Sequence, residues 1–112
     1  MTPRVRADIA VAALLAQVEG EGGFGAVLRR GDRERGDVLI LVTERGILQV
    51  VMARQMDAAG AYSWTRLVDA SADGSDAAER LIASRQRFDP DLWLVELDVA
   101  DSERFIAERL MD

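Results

Sequence analysis

A run of five aliphatic residues, Val38-Leu39-Ile40-Leu41-Val42, sets the architecture that we predict for this chain. The run is too short for a helix, and as a strand it is apolar on both faces. A strand of this kind lies in the middle of a sheet, with helices packed on both sides. We therefore expect a three-layer sandwich, and a two-layer α+β arrangement with every helix on one face is the alternative.

Around this run the sequence predicts four further strands and three helices. Apolar residues spaced three and four apart indicate helices, and short apolar stretches bounded by glycine, proline and charged residues indicate strands. The predicted elements in chain order are a helix over 8–19, a strand over 24–30, the strand 38–42, a strand over 47–52, an edge strand over 61–67, a helix that opens at Gly74-Ser75-Asp76, a strand over 92–97 and a short helix after 101. The fold class is thus α/β, in the order α-β-β-β-β-α-β-α, with a mixed, mainly antiparallel five-stranded sheet.

Short acidic and hydroxyl side chains near the start of each predicted helix are expected to cap it. Asp8 is the expected cap of the first helix, Ser75 or Asp73 of the second, and Asp101 of the third. The second helix should end at the Phe88-Asp89-Pro90-Asp91 stretch, because proline pushes the residue before it out of the helical region.

The composition limits what the protein can do. A chain of 112 residues is expected to form one domain over 1–112. The absence of cysteine excludes disulfides and thiolate metal sites and fits a reducing cytoplasm. No stretch reaches the roughly 20 apolar residues of a membrane span. The net charge of −6 opposes binding to nucleic acid or to anionic membranes.

All 14 basic residues are arginine, whose planar guanidinium group suits carboxylate and phosphate partners. The expected partner is therefore a protein or a small anionic ligand.

One stretch, Gly20-Glu21-Gly22-Gly23-Phe24-Gly25, matches the G-x-G-x-x-G pattern of dinucleotide-binding loops. The working motif needs a strand before it and a helix after it, so that the pyrophosphate meets a helix N-terminus. Here the predicted order is reversed, and Glu21 adds a negative charge. We interpret the stretch as the end of a helix turning into a strand, and we expect no nicotinamide or flavin cofactor.

Two acidic patterns are candidates for cation binding or for acid–base chemistry. Asp69 to Ser75 places oxygen ligands as a calcium-binding EF-hand loop does, but the twelfth position is Arg80, so we predict a polar turn and no metal site. Glu96 and Asp98 lie two residues apart and therefore on one face of their strand. A solvated strand end is the expected structural role, and a general acid–base pair or a ligand pair for a hard cation is the functional one.

Two hypotheses of function remain at this point. A Ser-His-Asp relay needs histidine and a Ser-Lys dyad needs lysine, and the chain has neither, so we name no catalytic residue. The preferred hypothesis is a small non-enzymatic binding or adaptor domain that uses an arginine and aromatic surface. The alternative is a small hydrolase or metal-assisted enzyme working through carboxylates, with Glu96 and Asp98 or Asp89 and Asp91 as candidates. An exposed tryptophan would favour the binder, and a closed polar pocket holding two of these carboxylates would favour the enzyme.

Four stretches of the chain resemble a family of short bacterial proteins known only as a domain of unknown function, number 1491. They are Arg4-Val5-Arg6-Ala7-Asp8-Ile9, Gly22-Gly23-Phe24, Arg29-Arg30-Gly31-Asp32 and, most specifically, Arg87-Phe88-Asp89-Pro90-Asp91-Leu92-Trp93. The resemblance spans nearly the whole chain and implies a small, stand-alone bacterial protein. It implies no activity, cofactor or catalytic residue.

The functional surface is predicted at the corner between the second helix and the last strand. Proline fixes the backbone there, and both charge signs are presented at a rigid turn. The predicted binding residues are Arg30, Trp64, Arg85, Arg87, Asp89 and Asp91. A purely structural corner, in which Arg85 or Arg87 clamps Asp89 or Asp91, is the alternative interpretation.

Overall fold

The computed structural model describes residues 6–111 and contains the predicted elements in the predicted order. One short helix that was not predicted, α2, precedes the long second helix. The elements are α1 (Ala7–Gly20), β1 (Phe24–Arg29), β2 (Val38–Glu44), β3 (Ile47–Met56), β4 (Tyr62–Asp69), α2 (Ala70–Asp73), α3 (Ser75–Phe88), β5 (Trp93–Asp98) and α4 (Ser102–Phe105), which continues as a π-helical turn over Ile106–Leu110.

The five strands form one sheet in the order β1-β5-β2-β3-β4. Only β2 and β5 run parallel, and the other three neighbouring pairs are antiparallel. The predicted mixed, mainly antiparallel sheet is therefore confirmed, and β4 lies at an edge as predicted. A long crossover through β3, β4, α2 and α3 joins the parallel strands β2 and β5.

Two cores lie on opposite faces of the sheet, so the fold has three layers and the two-layer alternative is wrong. On the first face α1 and the C-terminal helical segment pack on alternate residues of the central strands, such as Ile40 and Val95. On the second face α2 and α3 pack on the intervening residues, such as Leu39 and Leu94. The aliphatic run of β2 supplies both cores because its side chains alternate between the two faces.

The α1 helix ends in a glycine turn, as the reversed order of the G-x-G-x-x-G stretch predicted. The N–H groups of Gly22 and Gly23 donate to the carbonyls of Glu19 and Val18 at 3.1 and 2.9 Å. Gly22 has φ 84°, a left-handed conformation that glycine adopts without steric cost. The following element is the strand β1, which starts at Phe24, so the stretch leads into a strand and not into a helix.

Two of the three predicted helix caps are wrong. The cap position of α1 is Arg6, and Asp8 instead lies in the first turn, where it accepts hydrogen bonds from the Arg6 guanidinium. The cap position of α3 is Gly74, with no side-chain hydrogen bond. The acidic turn before it forms α2, whose cap is Asp69. The third prediction is confirmed, because the Asp101 carboxylate accepts from the Arg104 N–H at 3.1 Å.

The polar turn predicted in place of a calcium loop is present. The Asp69 carboxylate accepts hydrogen bonds from the N–H and the hydroxyl of Ser71, and the hydroxyl bond lowers the pKa of Asp69 most. Among residues 6–111, no group of three or more acidic side chains is placed to hold a metal ion. Nor is any helix in this part of the chain long and apolar enough to cross a membrane.

Candidate functional site

The predicted corner is residues 85–93, where α3 ends and β5 begins, and the loop over residues 30–37 packs against it. The N–H of Asp32 donates to the Asp91 carbonyl at 3.0 Å. In return the Trp93 indole N–H donates to the Asp32 carbonyl at 2.6 Å, and the Trp93 backbone N–H donates to Asp37 at 2.8 Å. The corner is therefore held by main-chain contacts to a segment about 60 residues away in the sequence.

Close backbone approach explains two glycines in this loop. A Cβ atom on Gly31 or on Gly36 would overlap the Asp91 carbonyl oxygen and would also press on the Trp93 ring. Gly36 is buried. Only glycine allows the loop to come this close to the corner.

The loop is also fixed from within by the Asp32 carboxylate. This group accepts hydrogen bonds from the N–H groups of Arg35 and Glu34 at 2.8 and 2.9 Å. These two bonds lower the pKa of Asp32, and the bond from Arg35 has the larger effect. Asp32 is thus a turn residue whose negative charge is engaged by the loop's own backbone.

Arg29 is a structural part of the corner whose role sequence reasoning missed. Its guanidinium donates to the carbonyls of Gln86 and Pro90, each at 3.1 Å. It therefore caps the C-terminus of α3, where unpaired carbonyls carry partial negative charge. No local signal reveals this contact, because Arg29 and Gln86 are 57 residues apart.

Five of the six predicted site residues come together at the corner. The Arg30 guanidinium carbon lies 5.6 Å from the centre of the Trp93 ring, and the ring itself is buried. Asp89 is half-buried, and its carboxylate accepts the N–H of Asp91 at 3.1 Å. Arg87 and Asp91 are exposed.

The predicted clamp between these charges does not form. Arg85 pairs with Asp37 at 3.7 Å, and Arg87 lies over the Phe88 ring at 5.4 Å. Neither of these arginines forms an ion pair with Asp89 or Asp91 among the described residues, since the Asp89 carboxylate is turned to the backbone of its own turn. Arg85 therefore links α3 to the loop over residues 30–37, and Arg87 lies beside Phe88 at the exposed end of the helix.

Trp64 does not join this group. It lies on β4, at the opposite edge of the sheet from β1, and it packs half-buried against the first core. Trp93 is 3% exposed. Neither tryptophan is thus a surface anchor, and the prediction of Trp64 as part of one site with the corner is not supported by its position.

The exposed aromatic side chain at the corner is a phenylalanine, whereas the sequence led us to look for an exposed tryptophan. Phe88 is the last residue of α3, and 75% of its surface is exposed. The guanidinium carbon of the adjacent Arg87 lies 5.4 Å from the centre of this ring, so the end of α3 presents an exposed apolar face beside a cation. The sequence pattern marked Phe88 only as part of a helix stop.

The alternative carboxylate site lies at the other end of the sheet. The Thr43 hydroxyl is 3.1 Å from Glu96 and 2.7 Å from Asp98, so both carboxylates compete for one hydroxyl proton. This hydrogen bond, together with one from the Gly46 N–H at 2.7 Å, lowers the pKa of Asp98. Asp98 lines an open groove of about 670 Å³, and Glu96 is not part of its lining. The groove that Asp98 lines therefore does not bring the two carboxylates together.

Comparison with known proteins assigns the chain. A family model described as "Protein of unknown function (DUF1491)" matches residues 5–107. The chain belongs to the DUF1491 family. A crystal structure of a DUF1491 protein from Caulobacter crescentus is 31% identical, covers 90% of this chain and 94% of its own, and superposes with a TM-score of 0.69.

A solution structure of a protein from A. tumefaciens has the same fold as this DUF1491 chain. It is 23% identical, covers 88% of this chain and 89% of its own, and has a TM-score of 0.73. No curated protein matches the chain. The resemblance to short bacterial proteins is thereby confirmed, and the family carries no assigned activity.

Three of the four stretches that resemble DUF1491 meet at the corner. The loop after β1 and the helix stop contact each other through Asp32 and Asp91, as described above. The start of α1 joins them, because the N–H of Asp8 donates to the Arg33 carbonyl at 3.0 Å. Arg4 and Val5 of the first stretch lie outside the described residues.

Proposed function

We propose that this DUF1491 protein is a non-enzymatic binding domain whose corner recognises an acidic protein segment carrying an apolar side chain. The observation that carries the proposal is the exposed Phe88 ring, with the Arg87 guanidinium over it, on a backbone held by hydrogen bonds from a distant loop. An aromatic ring beside arginine is the chemistry of protein-binding hot spots.

The charges of the corner favour an acidic partner in spite of the net charge of −6. The carboxylates of Asp32 and Asp89 are engaged by backbone N–H groups, whereas the guanidinium groups of Arg30 and Arg87 lie over the buried Trp93 ring and the exposed Phe88 ring. A partner carboxylate would therefore meet donors that are not already committed to internal acids.

Rigidity supports the same proposal. A surface whose backbone is already fixed loses little conformational entropy when a partner binds. The hydrogen bonds of Arg29, Asp32 and Trp93 fix both segments of the corner before any partner arrives.

The hydrolase alternative is less well supported. A general acid or base at neutral pH needs a pKa near 7, and the Thr43 and Gly46 hydrogen bonds move the pKa of Asp98 in the opposite direction. The groove beside Asp98 is open to solvent and excludes no water from the carboxylates.

The absence of cysteine supports a cytoplasmic location, and the bacterial sources of the related structures support a bacterial protein. The proposed partner would be a protein of the same compartment.

The test combines site-specific crosslinking with measured affinity. A photo-crosslinking phenylalanine analogue replaces Phe88 in one strain and Met56, which is 54% exposed on β3, in a control strain. Segments captured only at Phe88 are synthesised, and their affinity for wild-type protein, Arg87→Glu and Arg80→Glu is measured by fluorescence anisotropy. Arg80 is exposed on the same helix. We expect Arg87→Glu to weaken binding at least about tenfold and Arg80→Glu by less than about twofold.

Two results would refute the proposal. One is a set of captured segments without acidic residues. The other is an Arg87→Glu variant that melts several degrees lower and still binds as tightly as Arg80→Glu, which would make the corner a structural feature only. Loss of binding with an unchanged melting temperature supports an interface.

A further inference from the structure

A β-bulge near the end of β1 decides on which face of the sheet its last residues lie. Val27 pairs with Val95, which belongs to the first core. Arg29, two residues later, pairs with Leu94, which belongs to the second core. Directly opposite residues of paired strands share a face, and residues two apart on a regular strand share one too. The bulge therefore moves Arg29 to the face on which α3 packs.

The bulge has two consequences for the corner. Because Arg29 lies on the α3 side, its guanidinium reaches the carbonyls of Gln86 and Pro90. These two residues lie two positions before and two positions after Phe88. The extra residue of the bulge is Leu28, which has no partner on β5 and is 50% exposed. A second open apolar side chain thus lies next to the arginine that contacts both sides of Phe88.

We propose that Leu28 is a second apolar anchor of the corner and determines which acidic segments the corner accepts. The inference rests on the binding function proposed above and specifies the partner further. The segment carries two apolar side chains, one for Phe88 and one for Leu28, with an acidic residue between them. Two anchors on a rigid backbone fix the spacing of the apolar residues in the segment, which a single anchor does not.

The charge between the two anchors favours this order of residues in the segment. The hydrogen-bond partners of the Arg29 guanidinium are neutral carbonyls, and no carboxylate pairs with it among residues 6–111. The end of α3 carries about half a negative charge, which offsets only part of the guanidinium charge. A carboxylate between the two apolar residues of the segment would therefore be attracted to this position.

The other end of β1 lacks this chemistry although it also exposes an apolar side chain. Phe24 is 62% exposed and pairs with Asp98, whose carboxylate lines the same open groove. A negative charge at this position opposes an acidic segment. Phe24 is therefore the matched control for Leu28, because both are exposed apolar residues of one strand and only Leu28 lies beside Arg29.

Crosslinking and affinity measurements on the full chain test the inference. A photo-crosslinking phenylalanine analogue replaces Leu28 in one strain and Phe24 in another. We expect the Leu28 strain to capture the acidic segments that the Phe88 position captures, and the Phe24 strain not to capture them. For a synthetic peptide of such a segment, Leu28→Ala should raise the dissociation constant at least about fivefold. Leu28→Met, which keeps the apolar volume, and Phe24→Ala should each change it by less than about twofold.

A double-mutant cycle assigns the two contacts. Each apolar residue of the peptide is replaced in turn by serine. One replacement should weaken binding to the wild-type protein at least about fivefold and binding to Leu28→Ala by less than about twofold. The other replacement should show the same relation to Phe88→Ala.

The outcomes separate this inference from the function on which it rests. If Leu28→Ala binds the peptide as Phe24→Ala does while Arg87→Glu weakens binding, the inference fails and the proposed function of the corner stands. The same holds if Leu28 crosslinks only to other copies of this chain, or if Leu28→Ala lowers the melting temperature without changing the affinity. If the Phe88 position captures no acidic segment, the proposed function fails and the inference fails with it.

Discussion

At the scale of single residues, Thr43 makes a contact whose effect depends on pH. Its hydroxyl and the Gly46 N–H lower the pKa of Asp98 in the folded state. Because the folded pKa lies below the unfolded one, this contact stabilises the fold above about pH 4 and is lost as the pH falls through the folded pKa. Thr43→Val keeps the volume of this buried side chain but removes its donor. We expect the pKa of Asp98 to rise toward its ordinary value in the variant.

The measurement is a carboxyl NMR titration combined with urea unfolding at pH 5 and pH 2.5. The unfolding free energy of Thr43→Val should fall less between these two pH values than that of the wild type. Thr65→Val, on β4, is the control. Its unfolding free energy should fall between pH 5 and pH 2.5 by the same amount as that of the wild type. An Asp98 pKa that stays unchanged in Thr43→Val would show that the backbone N–H groups of Gly46 and Arg45 lower it without Thr43.

The residues whose roles could be predicted from sequence act on near neighbours in the chain. Asp101 caps α4 through the N–H three residues ahead, a contact that the sequence spacing predicts. Arg29 and Phe88 were missed for the opposite reason. The Arg29 contacts cross 57 and 61 residues, and the exposure of Phe88 depends on what packs beside the end of α3. The cap at Asp8 was wrong because α1 begins one residue earlier, at Ala7, and so contains Asp8 in its first turn.

At the scale of elements, the contact between the loop and the corner predicts a sharp difference between two glycines. Gly31→Ala places a Cβ atom against the Asp91 carbonyl, so we expect a loss of roughly 2–3 kcal/mol in the unfolding free energy. Gly20→Ala adds the same atom at the last residue of α1, where no atom lies within 4 Å. That change should be neutral or should stabilise by up to about 1 kcal/mol. Urea unfolding of both variants measures the difference.

Equal stability of the two variants would mean that the loop moves away from the corner at little cost. In that case Gly31→Ala should also free the Trp93 indole N–H from the Asp32 carbonyl, which a shift of the Trp93 indole proton resonance would report. Unchanged stability together with an unchanged resonance would contradict the close approach itself.

The type and order of the helices and strands could be predicted from the sequence. Their first and last residues were predicted less accurately. Strand β3 was predicted to end at residue 52 but runs to Met56, because Arg54 and Gln55 pair with Trp64 and Ser63 of β4. Arg54 is buried and lies over the Tyr62 ring at 4.0 Å. A local pattern treats arginine as a surface residue, and only the pairing with β4 explains how a cation extends this strand.

At the scale of the whole molecule, the sequence favoured three layers over two but did not predict the strand order. The aliphatic run of β2 required cover on both faces, whatever its neighbours. Its pairing with β5 is parallel, from Val38 beside Trp93 to Thr43 beside Asp98. Nothing in either strand alone indicates that partner, since β3 and β5 are similarly apolar. The corner has the same origin, because its two segments meet only where β1 and β5 become neighbours.

The last prediction concerns whether the two cores unfold together. Both tryptophans belong to the first core, so their fluorescence reports that face of the sheet, whereas far-UV circular dichroism reports the helices of both faces. Leu92→Ala empties a buried site in the second core and should cost about 2–5 kcal/mol. Because the side chains of β2 alternate between the two cores, we expect fluorescence and circular dichroism to give the same urea midpoint in this variant.

Ile106→Ala, in the first core, is the matched variant and should also shift both midpoints together. Separate transitions in Leu92→Ala, with fluorescence keeping the wild-type midpoint, would show that the first core and its sheet face fold without α3. The corner would then be lost before the rest of the sheet, because its helical half is α3 and only its other half belongs to β5. A single transition means that the corner stays formed for as long as any part of the sheet does.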